Sequence, residues 1–427
     1  MTIRAQSPEF PRPDRWEGRP AKRLFDQRRT RADASDVLLT ASQSHGVIAQ
    51  DEYERLTGNR VTKAASNEGL KKVVSGDFVI SLRTFQGGIE LSHASGCISP
   101  AYTVLVPTKH VDAGFFRYLL KSDPFLSILS VSVTGVRDGK TVRFNDFSGL
   151  VLPVPTPGAQ ARIADFLDRE TAHIDTLIEK KERLIRLLDE KRAALITQAV
   201  TKGLNPDAPM KDSGVEWIGE IPEHWDTAPI GGLFDVQLGK MLDASRETGR
   251  YLRPYLRNQD VQWGRVNTES LPEMDFRPFE RSRFALQTGD LLVCEGGDVG
   301  RTAMWDGALE ECYYQKAIHR IRPASERSVP RFLFYVMRHL ANAGAFLAGS
   351  NPNTIPHLTA VQLRRHRMTA PPREEALEVA AQLDRETGIL DRVKETASRS
   401  ILLLRERRAA LITAAVTGQL DIPADPS

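Results

Sequence analysis

The chain has little of what most enzymes need, and each gap removes a class of function. Its 427 residues hold three cysteines, Cys97, Cys294 and Cys312, with no Cys-x-x-Cys spacing; neither a disulfide framework nor a zinc site is expected, and all three read as buried thiols. The nine histidines show no metal-ligand spacing. No apolar run approaches the ~18 residues of a membrane span. The opening MTIRAQSPEFPRPDR lacks a signal peptide's apolar centre, so the expected location is cytoplasmic, with no membrane contact. Gly239-Lys240 is followed by Met241 and lacks the upstream glycine of a phosphate-binding loop. Ser99-Pro100-Ala101-Tyr102 lacks the second proline of the Asn-Pro-Pro-Tyr type motif of amino-methyltransferases, and Glu179-Lys180-Lys181 falls on the solvated side of a helix. No catalytic, cofactor-binding or metal-ligating residue is therefore assigned. Net charge is scarce too, at +3. Residues 1–151 carry 21 basic against 16 acidic side chains, and residues 205–370 carry 20 against 21. In that second stretch 17 of the 20 cations are arginine, the side chain suited to bidentate contact with phosphates and guanine edges.

What the chain does have is a repeat. Leu167 to Thr171 reads LDRET and Arg192 to Thr197 reads RAALIT; both words return 216 residues later, at Leu383 to Thr387 and Arg408 to Thr413. Prolines precede each copy (Pro153, Pro155, Pro157; Pro371, Pro372) and a glycine follows it (Gly203, Gly418), which marks a duplicated helix of about 45 residues, roughly 65 Å long. In the first copy Ile163, Leu167, Ile174, Ile178, Ile185, Leu188, Leu195 and Ala199 recur as a coiled-coil seam requires. Leu177, Leu184, Leu187 and Ile196 add a second stripe, and in the second copy Ile401 to Leu404 are all apolar. One sister helix does not cover both stripes. Either both stripes are intramolecular core, covered by the helix's own domains, or, as the preferred reading, Leu177, Leu184, Leu187, Ile196, Leu402, Leu403 and Ile412 are docking candidates for other subunits.

The repeat extends past the helices. Trp16, Pro20, Leu24 and Phe25 reappear as Trp225, Pro229, Leu233 and Phe234, and Gly76-Asp77 before an apolar run reappears as Gly289-Asp290. Short strands are expected at 73–83, 102–106, 287–294 and 317–321, and short helices at 113–121 and 330–340. The expected class is α/β (α+β): two mixed α/β domains separated by two long antiparallel helices in a pseudo-twofold repeat, with a domain at each end of the rod. The boundaries are a first domain over 1–152, a long helix over 153–204, a linker over 205–219, a second domain over 220–368, a second long helix over 369–420 and a tail over 421–427.

Polar, glycine-bearing loops are the candidates for contact with double-stranded DNA, because groove reading needs close backbone approach and amide or guanidinium side chains. In the first domain these give Arg83, Gln86, Arg137, Lys140 and Arg143. The second gives Lys240, Arg257, Asn258, Gln259, Arg301, Asn351, Asn353 and Thr354.

With these residues in view, LDRET, KKERLIRLLDEKRAALITQAVTKGL and MKDSGVEWIGEIPEHW resemble the specificity subunit of type I restriction-modification systems, as do PYLRNQDVQWGR and GDLLVCEGGDVGR. The resemblance spans nearly the whole chain. It implies a non-catalytic subunit whose two target recognition domains each read half of a split DNA site, while the helices set the spacer and bind two methylation subunits. S-adenosylmethionine, ATP and magnesium are then expected in the partner methylation and restriction subunits and not in this chain. The rivals are a coiled-coil adaptor without DNA readout and a self-contained methyltransferase or nuclease.

Overall fold

The computed structural model describes residues 9–43, 45–62, 67–81, 88–132, 142–242, 248–347 and 357–422. The chain divides into two compact units: unit 1 joins Met1–Lys181 to Ser398–Ser427, and unit 2 is Glu182–Ala397. Each long helix therefore contributes one half to each unit.

In unit 1 a four-stranded antiparallel sheet runs in the order Phe25–Gln27, Thr103–Pro107, Phe78–Ile80, Glu90–Leu91. Phe25, on its edge strand, is fully buried, with Phe78, Phe116 and Phe147 edge-on at 5.5, 5.6 and 5.6 Å. The Gly76-Asp77 turn earns its place in the repeat through the carboxylate. Asp77 accepts the Val74 amide at 2.7 Å and receives the Arg28 fork at 2.7 Å on each oxygen. Strand Glu17–Pro20 pairs with Val151–Val154, which leads into the first long helix.

Unit 2 repeats this plan. Its four-stranded antiparallel sheet has the same order, Phe234–Leu238, Ile318–Pro323, Leu291–Cys294, Thr302–Met304. Asp290 takes the place of Asp77, accepting the Gln287 amide at 2.7 Å and the Arg322 guanidinium at 2.5 and 2.8 Å. Asp226–Pro229 pairs with Arg367–Ala370 ahead of the second long helix. A further layer places Leu252–Leu256 between Glu273–Asp275 and Tyr313–Tyr314. There the Asp275 carboxylate accepts the Thr248 hydroxyl at 2.6 Å and the amides of Thr248, Gly249 and Tyr251, bonds that hold its pKa down to about 2.

The stretch read as a linker, 205–219, is packed structure in unit 2. Met210–Asp212 pairs with Glu220–Pro222, Val215 and Ile218 are 9% and 7% exposed in the core, and the Trp217 carbonyl lies 3.0 Å from His339. Its polar and glycine-rich composition made a β-hairpin with a buried tip look like a tether. The three cysteines are buried and free, as expected, and burial pushes the Cys312 thiol up to about 12.

The long helices span Pro157–Lys202 and Arg373–Val416. Each stops at a glycine with a left-handed backbone, Gly203 (φ +72°) and Gly418 (φ +69°), and at both an added Cβ would meet a tryptophan, Trp225 at 3.1 Å and Trp16 at 3.0 Å. The two repeated words have separate tasks. RAALIT supplies the arginine that fixes register: Arg192 pairs with Asp391 in unit 2, and Arg408 with Asp175 at 2.9 Å in unit 1. In unit 2 Lys394 also reaches Asp189 at 2.6 Å. Moving three residues forward from Asp189 to Arg192 moves three back from Lys394 to Asp391, so the helix segments are antiparallel. Unit 1 has the same sense, since Ile163 and Leu167, early in the first helix, share a core with Ala415 and Val416, late in the second.

LDRET clamps each helix to its domain. In unit 1 Asp168 accepts the Tyr118 hydroxyl at 2.6 Å and pairs with Arg117, while Thr171 lies 3.0 Å from the same hydroxyl. In unit 2 Asp384 accepts Tyr335 at 2.5 Å and pairs with Arg331 at 2.6 Å, with Thr387 3.2 Å from the hydroxyl. Both threonines also donate to the carbonyl four residues back, at 2.6 Å, and Leu167 and Leu383 are 0% and 1% exposed beneath them. Burial of one such leucine stabilises by about 1.5–3 kcal/mol.

Candidate nucleic-acid interface

Hydrogen bonds draw the candidate loops of the second domain together. The Lys240 amide donates to the Tyr314 carbonyl at 3.0 Å, Lys316 donates to the Lys240 carbonyl at 2.8 Å, and Gln315 donates to the Leu256 carbonyl at 3.1 Å. From Leu256 the chain enters Arg257–Gln262. Asn258 donates to the Gly296 carbonyl at 2.9 Å and accepts from Arg301 at 2.8 Å, which closes Glu295–Arg301 onto it. Glu295 then donates to Ala317 and its carbonyl receives the Leu358 amide at 2.7 Å. Trp263 joins the cluster by donating to Asp298 at 2.9 Å, with the Arg338 guanidinium 4.4 Å over its ring.

Within the cluster the named side chains differ in what they can present. Arg257 forks onto Asp260 at 2.9 Å on both oxygens, and that hydrogen bonding raises its pKa further. Lys240 is mostly buried, bonded to Glu280 at 2.8 Å and to the Asp275 carbonyl, under the ring of Phe276 at 5.0 Å. Asn258 and Arg301 hold each other. Gln259 is exposed and its carbonyl receives the Gln262 amide group at 2.8 Å. Four of the five thus build the platform, and Gln259 is the one presented outward.

Of the first-domain candidates, Arg143 is exposed at the start of the helix Phe144–Ser148, its amide bonded to Asp146 at 2.9 Å. Arg83, Gln86, Arg137, Lys140, Asn351, Asn353 and Thr354 lie outside the described residues. Sequence reasoning missed a concave feature of unit 1, a cleft of about 590 Å³ lined by Gln43, Tyr53, Asn59, Arg60 and Tyr102 among others. Its donors, acceptors and aromatic rings come from separate segments, so no local spacing announces it.

The docking candidates sort by burial. Leu184, Leu187, Leu402 and Leu403 are 40%, 50%, 59% and 57% exposed, and Leu187 and Leu403 are equivalent positions of the repeat. Leu177 is half-buried. Ile196 is a correction: at 1% exposure it belongs to the core of unit 2, because the domain packs over that end of the helix. Ile412 is half-buried against the core of unit 1 for the same reason. Among the described residues no His, Cys, Asp and Glu group could hold a metal ion, and no helix is long and apolar enough to cross a membrane.

Residues 222–396 match the type I restriction modification DNA specificity domain family. The MjaVIII type I restriction enzyme specificity subunit of Methanocaldococcus jannaschii is 26% identical over 199 residues, 45% of this chain and 44% of its own length. The EcoKI specificity subunit of Escherichia coli is 24% identical over 192 residues, 44% of this chain and 39% of that one. The aligned stretch is thus less than half the length of either curated relative. At the level of fold the likeness is wider. A solved chain from a study of complex assembly and conformational transition in a type I R-M system aligns over 96% of this chain and 99% of its own, with TM-score 0.73 and 17% identity. The HsdS subunit from Thermoanaerobacter tengcongensis aligns over 96% and 98%, with TM-score 0.55 and 17% identity. Residues 222–396 thus match the type I specificity domain, and over 96% of its length the chain, with its duplicated α/β plan and twin long helices, shares the fold of these solved type I restriction-modification chains.

Proposed function

We propose that this chain reads a bipartite sequence in double-stranded DNA, one half-site per domain, and carries no chemistry of its own. The duplicated architecture is the observation that supports this most: two sheets of one strand order, each clamped to a long helix by the same Asp–Tyr–Thr arrangement. A molecule with two equivalent domains suits a site with two halves. Methylation subunits dock on the exposed leucines of the helices, two of them for the two copies of the repeat, and restriction subunits join that assembly. S-adenosylmethionine, ATP and magnesium belong to those partners. The low net charge fits this division, because partners supply phosphate contacts while the domains read bases at about 1–3 kcal/mol per bidentate pair. The long helices fix the unread spacer between half-sites. An adaptor without DNA readout has no support from the relatives, which are specificity subunits.

Replacement of residues 220–368 by the corresponding domain of a relative tests the reading. Methylome sequencing is expected to show one half-site changed and the other intact; a change in both, or in neither, refutes it.

A further inference from the structure

The short helix Pro278–Phe284 of unit 2 carries an aromatic ring where a folded domain has little reason to keep one. Phe279 is 75% exposed, although the same helix buries Phe284 to 9%. Phe284 faces inward, 6.3 Å from both the Phe276 and Tyr314 rings. Ser282 and Arg283, three and four residues beyond Phe279, lie on its outward face and are exposed with it. Met241 and Leu242 are 60% and 55% exposed, and the Lys240–Glu280 ion pair at 2.8 Å brings that segment beside the first turn of the helix.

The charges around the ring are not balanced in what they can offer. The Glu280 carboxylate is taken by Lys240 and by the Arg277 amide at 2.9 Å. Asp275 is filled by Thr248, Gly249 and Tyr251, and Glu311 by Arg253 at 2.7 Å and Tyr313 at 2.6 Å. Arg250 and Arg283 are exposed, Arg283 standing 5.2 Å over the Phe284 ring, while Arg277 is half-buried beside Glu280. The surface is therefore an apolar wedge beside exposed guanidinium groups, with the Glu280 and Glu311 carboxylates bonded within the fold. A duplex matches that pairing: phosphates for the arginines, and a base step or sugar face for the ring. Lys240 ties this helix directly to the candidate loop cluster.

We infer that the outward face of Pro278–Phe284 contacts double-stranded DNA, with Phe279 packing against the bases and Arg283 against phosphate. The inference rests on the DNA-reading assignment above and extends it to residues that assignment does not use. The test uses the full chain co-purified with its methylation subunits, and labelled duplexes that the wild-type complex enriches from a randomised pool. Phe279→Ala is expected to weaken binding at least tenfold with an unchanged salt dependence, and Phe279→Trp to restore it. Arg283→Gln is expected to reduce the slope of log affinity against log salt by about one. Neither variant is expected to alter melting temperature or subunit assembly.

Unchanged duplex binding by Phe279→Ala, with the wild type binding normally, overturns the inference and leaves the DNA-reading assignment standing. Loss of a methylation subunit from the Phe279→Ala complex also overturns it, by making this face a protein interface. A wild-type complex that enriches no duplex brings down the assignment and the inference together.

Discussion

The Asp–Tyr–Thr clamps give the fold a graded test, because the same hydrogen bond is made in two surroundings. Tyr335 is 1% exposed, and burial, followed by its bond to Asp384, raises the phenol pKa to about 12, so it remains a donor. Tyr335→Phe removes that donor without opening a cavity. A hydrogen bond to a charged acceptor contributes about 1.5–3 kcal/mol, and Asp384 retains Arg331 and partial access to water, so the lower half of that range applies. At about 2–4 °C per kcal/mol for a unit of this size, the unfolding transition of unit 2 should fall by roughly 3–9 °C. Tyr118→Phe, whose ring is only half-buried, should cost unit 1 about half as much. Calorimetry of the full chain reads both, and a cycle of Tyr335→Phe with Asp384→Asn isolates the pair. A coupling energy near about 1 kcal/mol or above is expected. Strict additivity, or an unmoved transition, would refute the idea that LDRET anchors helix to domain.

Burial lowers the pKa of His319, His339 and His366, all in unit 2, whereas the unfolded chain protonates near 6.5; protons therefore favour unfolding as pH falls through that value. Unit 2 should lose stability between pH 7.5 and 5.5, and a melting temperature that rises over this interval would count against it. Arg192→Ala should cost about 1 kcal/mol, as expected of an ion pair whose carboxylate is half-exposed, with the charge-swapped Arg192→Asp, Asp391→Arg chain recovering the loss in denaturant titrations. Leu403→Asp should change stability by no more than about 0.5 kcal/mol, since the side chain is 57% exposed, yet release methylation subunits on size exclusion. Global unfolding by that variant would place Leu403 in a core.

Periodicity carried the long helices almost to their ends. Helices expected over 153–204 and 369–420 are observed at Pro157–Lys202 and Arg373–Val416, because proline and glycine punctuate both. Gly-Asp before an apolar run located the central strands Phe78–Ile80 and Leu291–Cys294, since the aspartate closes the turn that starts them. What spacing did not carry was the destination of long polar side chains. Lys240 reads as a free cation in a glycine-led loop, yet its partner Glu280 lies forty residues on. Ile196 reads as surplus apolar surface on a rod until the domain that covers it is in place. Phe279 was invisible for the opposite reason: in PFERSRF both phenylalanines suit a core, and only tertiary packing decides which one is left out.

Unit 1 is completed by residues 398–427, with Gly418 seated on Trp16 and Ala415 and Val416 inside its core. During synthesis the first domain leaves the ribosome hundreds of residues before the segment that seals it, and must wait with its aromatic slot open while unit 2, contiguous in the chain, is already able to close. A premature stop codon shortly before Ser398 would then spoil the beginning of the protein and spare its middle.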